Sequence, residues 1–396
     1  MEMPATITKE KTMYIPVPKL NKKKYLIKSI GEYRRYFLLR LKLICFHKYL
    51  FFLLVILFNA CNPKKDNPNK KIFSWNTVSS LEEKLIGEKY FIEELKIPKR
   101  LLYKRGKLLI NEAAPGETFV HVLDGNSLKY LFSTGAVGYG PGEMPNAWSI
   151  ESGINENTFW VYSLEGKVFS EYKLEKVNDS KALTQVRQKE DFYLAMGLTW
   201  SSDSTFMTFL VRGEDKFVEF STDGTRLKSY GKWKGMVPGN FEDHVIADLH
   251  QGKLMGDPKT GKFIKASIFR DHLEILDKKS GQIIRIDGPE NSIPEFQAVD
   301  AGAVVTSDHP LAYMDAFLGK EHIFGLYSGK TDKEIMEQGR GETDLLVFDH
   351  LGNVKAVLKL DTPISSFTVD EKGQRIFGIT TDREPGVVVF DYNLEK

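Results

Sequence analysis

Cysteine is almost absent: the 396 residues contain two, Cys45 and Cys61, and none follows Cys61. A disulfide framework and any cysteine-based metal site are thereby excluded from the body of the chain. Long apolar runs are missing as well. The one that stands out, YLFFLLVILFNA at residues 49–60, is about a dozen residues, short of the ~20 that a helix needs to cross a hydrocarbon core. No Gly-x-Ser-x-Gly elbow occurs, so with no cysteine in the body the usual signatures of nucleophilic catalysis are lacking. A basic stripe is also wanting. The overall charge of +2 hides a leader, residues 1–48, with 12 Lys or Arg against 3 acidic residues; the chain from Cys61 onward is left at −7. An acidic body argues against nucleic acid as a partner, because neutralising phosphates takes clustered Lys and Arg.

What is present begins with the leader. A positive stretch precedes the apolar run, and the small residue Ala60 precedes Cys61, which is the segment order of a secretory signal. Phe58-Asn59-Ala60-Cys61 resembles a bacterial lipobox, with Phe58 in place of the usual leucine. In proteins of that type the cysteine thiol is acylated with diacylglycerol, and cleavage leaves Cys61 as the first residue. An uncleaved anchor would have to place Arg40, Lys42, His47 and Lys48 at bilayer depth, at roughly 2.5 to 3.5 kcal/mol for each charge. The expected organisation is therefore a leader and lipoprotein signal peptide over 1–60, a flexible tether over 61–78 and a folded body over 79–396. The tether NPKKDNPNKK has two prolines, four lysines and no apolar side chain to pack.

From about residue 88 the chain reads as β-strands of 5 to 8 residues, rich in Val, Ile, Phe, Tyr and Thr and tending to alternate, for example TFVHVLD, TFMTFLVR and GVVVFDY. The best helix candidate is SSLEEKLIGEKY, residues 79–90, with Glu at capping-box spacing from Ser. A repeat underlies the strands. Apolar strand, polar turn with glycine and second strand recur around Gly125, Gly166, Gly224, Gly281 and Gly352, and a sixth copy ends the chain near Asn393. Glycine at these turns is expected to supply positive φ. Six such units over about 300 residues predict an all-β fold, a six-bladed β-propeller of four-stranded antiparallel blades. The chain after the last hairpin is too short to finish a blade, so KYFIEELKI, residues 89–97, is expected to close the ring.

GAVGYGPGEM, residues 135–144, resembles the glycine-rich signature that follows the first hairpin in TolB-like six-bladed propeller lipoproteins of Gram-negative bacteria. Residues 366–393 look like the last blade of the same family. The resemblance covers nearly all of the chain after residue 49. It implies the propeller fold and a lipid-anchored place in the cell envelope, in the outer membrane and facing the periplasm or the surface. It brings no established reaction with it.

The glycines could be forced into phosphate-loop spacing, but Pro141 and Pro145 stand where a helix should start and the loop itself carries no Gly-Lys-Ser/Thr. Gly138, Gly140, Pro141 and Gly142 are read instead as a tight loop between blades, with Glu143 capping it by accepting backbone N–H bonds. The densest cluster of metal-binding residue types is FEDHVIADLHQG, with Glu242, Asp243, His244, Asp248 and His250; Asp308, His309 and Asp315 lie further on. His244 and His250 are six apart, unlike the helical zinc pattern of two histidines four apart, and on a strand they would share a face. Trp148, Trp160, Trp200 and Trp233 could stack on sugars, although packing between blades is the commoner use of tryptophan in propellers. Two functions follow as expectations. One is a lipid-anchored, non-enzymatic module with no cofactor, binding an envelope protein, peptide or glycan. The alternative is a metal-dependent propeller enzyme, a lactonase, lyase or glycan hydrolase, using a divalent cation at the channel mouth. Three or more carboxylates or imidazoles converging on one point of the channel would favour the second.

Overall fold

The computed structural model describes residues 69–394 apart from 114–115, 340 and 382–385. The expected signal peptide and Cys61 lie outside the described residues.

The strands assemble into six blades. Blade 1 spans residues 98–136, blade 2 149–187, blade 3 195–232 and blade 4 252–287, each a four-stranded antiparallel sheet in sequence order. Blades 5 and 6 share one long strand, Val354–Asp370. Its first part, to Leu360, pairs with Glu342–Phe348 at the outside of blade 5; from Ile364 it pairs with Arg375–Thr380 as the innermost strand of blade 6. Blade 6 takes its fourth strand from the start of the body: Gly87–Phe91 pairs antiparallel with Gly386–Asp391, the expected closure of the ring. Arg375 of blade 6 reinforces the seam by donating to the Gly125 carbonyl at 3.1 Å and to Asn126 Oδ1 at 3.0 Å in blade 1.

The core lies between blades. Each seam holds its own cluster of buried apolar residues, such as Leu109, Phe119, Phe159 and Tyr172 between blades 1 and 2, or Phe324, Leu358, Ile376 and Phe390 between blades 5 and 6. Both faces of a blade are covered, which is why strands such as Thr158–Ser163 are buried throughout rather than alternating. Each fully buried Leu, Val or Phe adds ~1.5 to 3 kcal/mol relative to exposure.

Three expectations are corrected. Residues 79–90 form no α-helix. After a short 3-10 turn, Ser79–Leu81, the strand Glu82–Leu85 pairs in parallel with the outer strand of blade 5, and Gly87–Phe91 follows on blade 6. Backbone pairing to an open sheet edge outweighs the helix preference of Glu, Lys and Leu, which amounts to only tenths of a kcal/mol per residue. The tether does not extend to residue 78. Lys70–Ile72 pairs in parallel with the outer strand of blade 4, Phe73 is buried against Phe348 at 5.8 Å, and Trp75–Val78 is a helical turn. The segment from Lys70 to Phe91 is thus a strap laid along the outer edges of blades 4, 5 and 6. The glycine repeat is also not uniform. Gly125, Gly224, Gly281 and Gly352 sit between the third and fourth strands of blades 1, 3, 4 and 5, whereas Gly166 sits between the second and third strands of blade 2. Positive φ belongs to Gly224, Gly281 and Gly352 only. In the other two turns Leu128 and Lys167 adopt it, and Gly125 is needed for closeness, since a Cβ there would lie 2.6 Å from the Tyr103 ring.

The central channel as candidate functional site

The innermost strands are Pro98–Lys104, Ser149–Glu151, Ala195–Trp200, Gly252–Asp257, Tyr313–Leu318 and the second part of Val354–Asp370. Together they enclose a channel of about 290 Å³. Each blade brings at least one polar side chain to its wall or just behind it, among them Arg100, Glu151, Thr199, Lys253, Asp315 and Ser366 from blades 1 to 6 in turn.

Asp315 joins three blades. Its carboxylate accepts from the Ser366 hydroxyl at 2.5 Å and from the Phe367 N–H at 3.3 Å, and it lies 3.6 Å from Arg100 Nη1. Glu151 is buried, with Thr199 and Lys253 as neighbours. Burial pushes its carboxyl up to about 7; the charge of Asp315 adds to the rise, and Lys253 and Thr199 oppose it. Apolar wall is supplied by Trp200, Met255, Phe317 and Phe367.

The mouth lies where the inner strands end. Lys104 holds its blade 2 lip by donating to the carbonyls of Ser152, Asn155 and Thr158 at 2.5, 2.7 and 2.8 Å, and burial lowers its ammonium to about 8. Glu371 holds the blade 5 lip by accepting from the N–H groups of Lys320, Glu321 and His322. Glu156 and Lys259 pair across the opening at 2.7 Å.

Apart from Asp315, the candidate metal residues described below sit away from the channel. His244 and Asp248 lie on a helix, Asp243–Leu249, that His250 caps, so the shared strand face does not exist. This helix packs with the hairpin Phe296–Val299 and Gly302–Val305 and with Trp233 and Met236 in a satellite core. Asp248 is occupied by the Ala303 N–H at 2.9 Å and Gln251 Nε2 at 3.0 Å. His250 is buried, bonded through Nδ1 to the Ile246 carbonyl at 2.8 Å and stacked on Trp233; burial holds its pKa well below the usual histidine value. His309 Nε2 meets the Phe269 carbonyl at 2.7 Å, and Asp308 is exposed. Among the described residues no three His, Cys, Asp or Glu are arranged to hold a metal ion.

The glycine loop connects blades 1 and 2. Glu143 Oε2 accepts from the Gly140 N–H at 3.0 Å, and its carboxylate is 3.4 Å from Lys181. Gly138 has φ 156°, and a Cβ on it would meet Glu143 at 2.2 Å; Pro141 and Gly142, with φ 76°, complete the turn. A Gly-Lys-Thr triplet does occur later, at Gly329–Thr331, but it opens a helix of seven residues and Lys330 is bound to the Gly341 carbonyl at 2.6 Å. Trp160 and Trp200 pack against each other between blades 2 and 3 at 4.9 Å, while Trp148 is half-exposed under the Lys99 ammonium at 3.8 Å.

In comparison with known proteins, no curated protein matches. A Bacteroides fragilis protein inferred to be exported superposes with a TM-score of 0.53 at 11% identity, covering 81% of this chain and 98% of that one. A member of the DUF4221 family from Bacteroides vulgatus superposes with a TM-score of 0.50 at 10% identity, covering 78% and 97%. At these identities the likeness is one of fold. The family model described as TolB-like 6-blade propeller-like matches residues 73–372, most of the chain, with five blades whole and the sixth in part. The chain belongs to the TolB-like 6-blade propeller-like family.

Proposed function

We propose that this protein is an exported, lipid-anchored binding propeller of the bacterial cell envelope, held in the outer membrane through Cys61, that takes up part of a protein, peptide or glycan at the mouth of its channel. The observation that carries this reading is the channel itself: a walled space to which all six blades contribute a polar group, with both lips of its mouth fixed by Lys104 and Glu371. A pre-formed concave site with few convergent polar groups is what small-ligand recognition requires. The metal-dependent alternative loses support, because Asp248, His250 and His309 are bonded into the framework away from the channel and Asp315 ties blades together. The order of segments around Cys61 supports the location, and a protein of like fold is inferred to be exported.

Two measurements test the reading. Metabolic labelling with radioactive palmitate should mark the wild-type chain, and Cys61→Ala should abolish the label; unchanged labelling removes the anchor from the proposal. Ser152→Trp places a large ring at the mouth and should abolish retention on peptide and glycan arrays. Retention equal to the wild type would move the binding site off the channel.

A further inference from the structure

The six polar side chains of the channel ring repeat a pattern. Arg100, Glu151 and Thr199 in blades 1 to 3 are cation, carboxylic acid and hydroxyl; Lys253, Asp315 and Ser366 in blades 4 to 6 are the same again. The two cations are not equally engaged. Arg100 has Asp315 at 3.6 Å, and Asp315 is satisfied by Ser366 and Phe367 as well. Lys253 has no carboxylate within 4 Å among the described residues. It acts on Glu151 from beyond ion-pair distance, and Glu151 also has Thr199 and the like charge of Asp315 as neighbours. Lys253 is partly buried at the wall of a concave site, and an ammonium there without an ion-pair partner is free to pair with an incoming anion.

We propose, resting on the channel reading above, that the channel binds its ligand through a carboxylate held by the Lys253 ammonium, with the carboxyl group of Glu151 beside it. Charge-assisted bonds of this kind are the strong ones, and Trp200 and Phe317 add apolar surface to the wall beside them. A space of about 290 Å³ lies at the small end of ligand pockets, ~300 to 1,000 Å³, so it admits one terminal unit of a ligand and not a chain. A sugar acid and a peptide C-terminus share this chemistry.

Glu151 couples the site to pH. The groups that face it are Lys253, Thr199 and Asp315, with Arg100 held on the far side of Asp315. A bound anion adds a second negative neighbour, so the complex favours the protonated acid. Binding therefore takes up a proton near and above pH 7 and weakens as pH rises.

Calorimetric titration of the full chain in detergent tests this, using D-glucuronate and N-acetyl-L-alanine as probes and D-glucose and N-acetyl-L-alanine amide as their neutral counterparts. At least one acid should bind at least tenfold more tightly than its neutral counterpart, and tenfold more tightly at pH 6 than at pH 8.5. The acid that does so identifies the source. Lys253→Met should lose at least tenfold, Lys253→Arg should retain binding, and Glu151→Gln should flatten the pH dependence. Equal binding of acid and neutral forms overturns the carboxylate assignment and leaves the channel reading standing. Binding of neither acid overturns the assignment too, while loss of array retention in Ser152→Trp judges the channel separately.

Discussion

The seam between blades 2 and 3 and the seam between blades 3 and 4 solve the same packing problem with opposite materials. The first is aromatic. Phe169, fully buried, lies 4.9 Å from Trp160, 5.4 Å from Phe206 and 6.1 Å from Trp200, and Phe192 stacks on Phe206 at 5.9 Å. The second is apolar near Phe217 and Phe263 but elsewhere buries charge: Lys216 of blade 3 pairs with Glu274 of blade 4, and His272 bridges Glu274 at 3.2 Å and Asp287 at 2.8 Å. Arg285 and, from the strap, Lys70 complete the network on Asp287. An aromatic seam gains from burial and ring geometry. A charged seam must first recover the desolvation of its ions, so it contributes orientation and blade identity more than net stability.

That contrast gives the largest expected effect to the aromatic seam. Phe169→Ala removes a ring at the meeting point of four others and should lower the unfolding free energy by about 3 to 5 kcal/mol, read from denaturant titration. A loss under about 1 kcal/mol would mean that the seam collapses into the space and that its rings act independently.

In the charged seam the loss should be smaller and, unlike the first, reversible by a second substitution. Lys216→Met strands Glu274, which is 1% exposed, and should cost about 3 kcal/mol, the low end for a broken buried pair because His272 stays near. Adding Glu274→Leu should restore at least half of that loss. If the double variant is no better than the single one, the pair is a net source of stability and the contrast between the seams fails.

The same two seams show what could be read from the chain alone. Blade number and closure by a strand from the start of the body were legible because turn glycines and β-branched runs recur, although the closing strand is Gly87–Phe91 and not the expected 89–97. The strap was not legible at Lys70–Ile72, since a strand that pairs along an outer edge gains backbone hydrogen bonds and needs no apolar pattern. Residues 79–90 carry a helix-forming composition that edge pairing overrides. The channel ring was invisible for a different reason. Its six members run from Arg100 to Ser366, one per blade, and only the radial arrangement brings them together. The dense cluster around His244 and His250 stands out in the sequence because its members are neighbours there, yet it folds as a helix whose polar atoms serve the satellite core. A polar residue in the first strand of each repeat was the signal available.

The smallest effect concerns Lys265, at the inner side of the charged seam, and it separates the two seams by pH alone. Its side chain is fully buried, with the ammonium 4.2 Å from the Trp233 ring centre and 4.6 Å from that of Phe209, donating to the His250 carbonyl. Burial lowers its pKa from 10.5 to about 7, against the attraction of Glu274. Between those values the unfolded chain binds the proton that the folded chain releases, so stability rises with pH across the window, by on the order of 1 kcal/mol per pH unit at most. Denaturant titrations of wild type and Lys265→Met at pH 7 and pH 9 should therefore diverge, the wild type gaining about 1 to 2 kcal/mol relative to the variant. Cation–π contact with Trp233 works the other way, because it favours the ammonium. Parallel pH profiles would mean that the aromatic faces have offset desolvation fully, and that rings rather than ion pairs govern the charged seam as well.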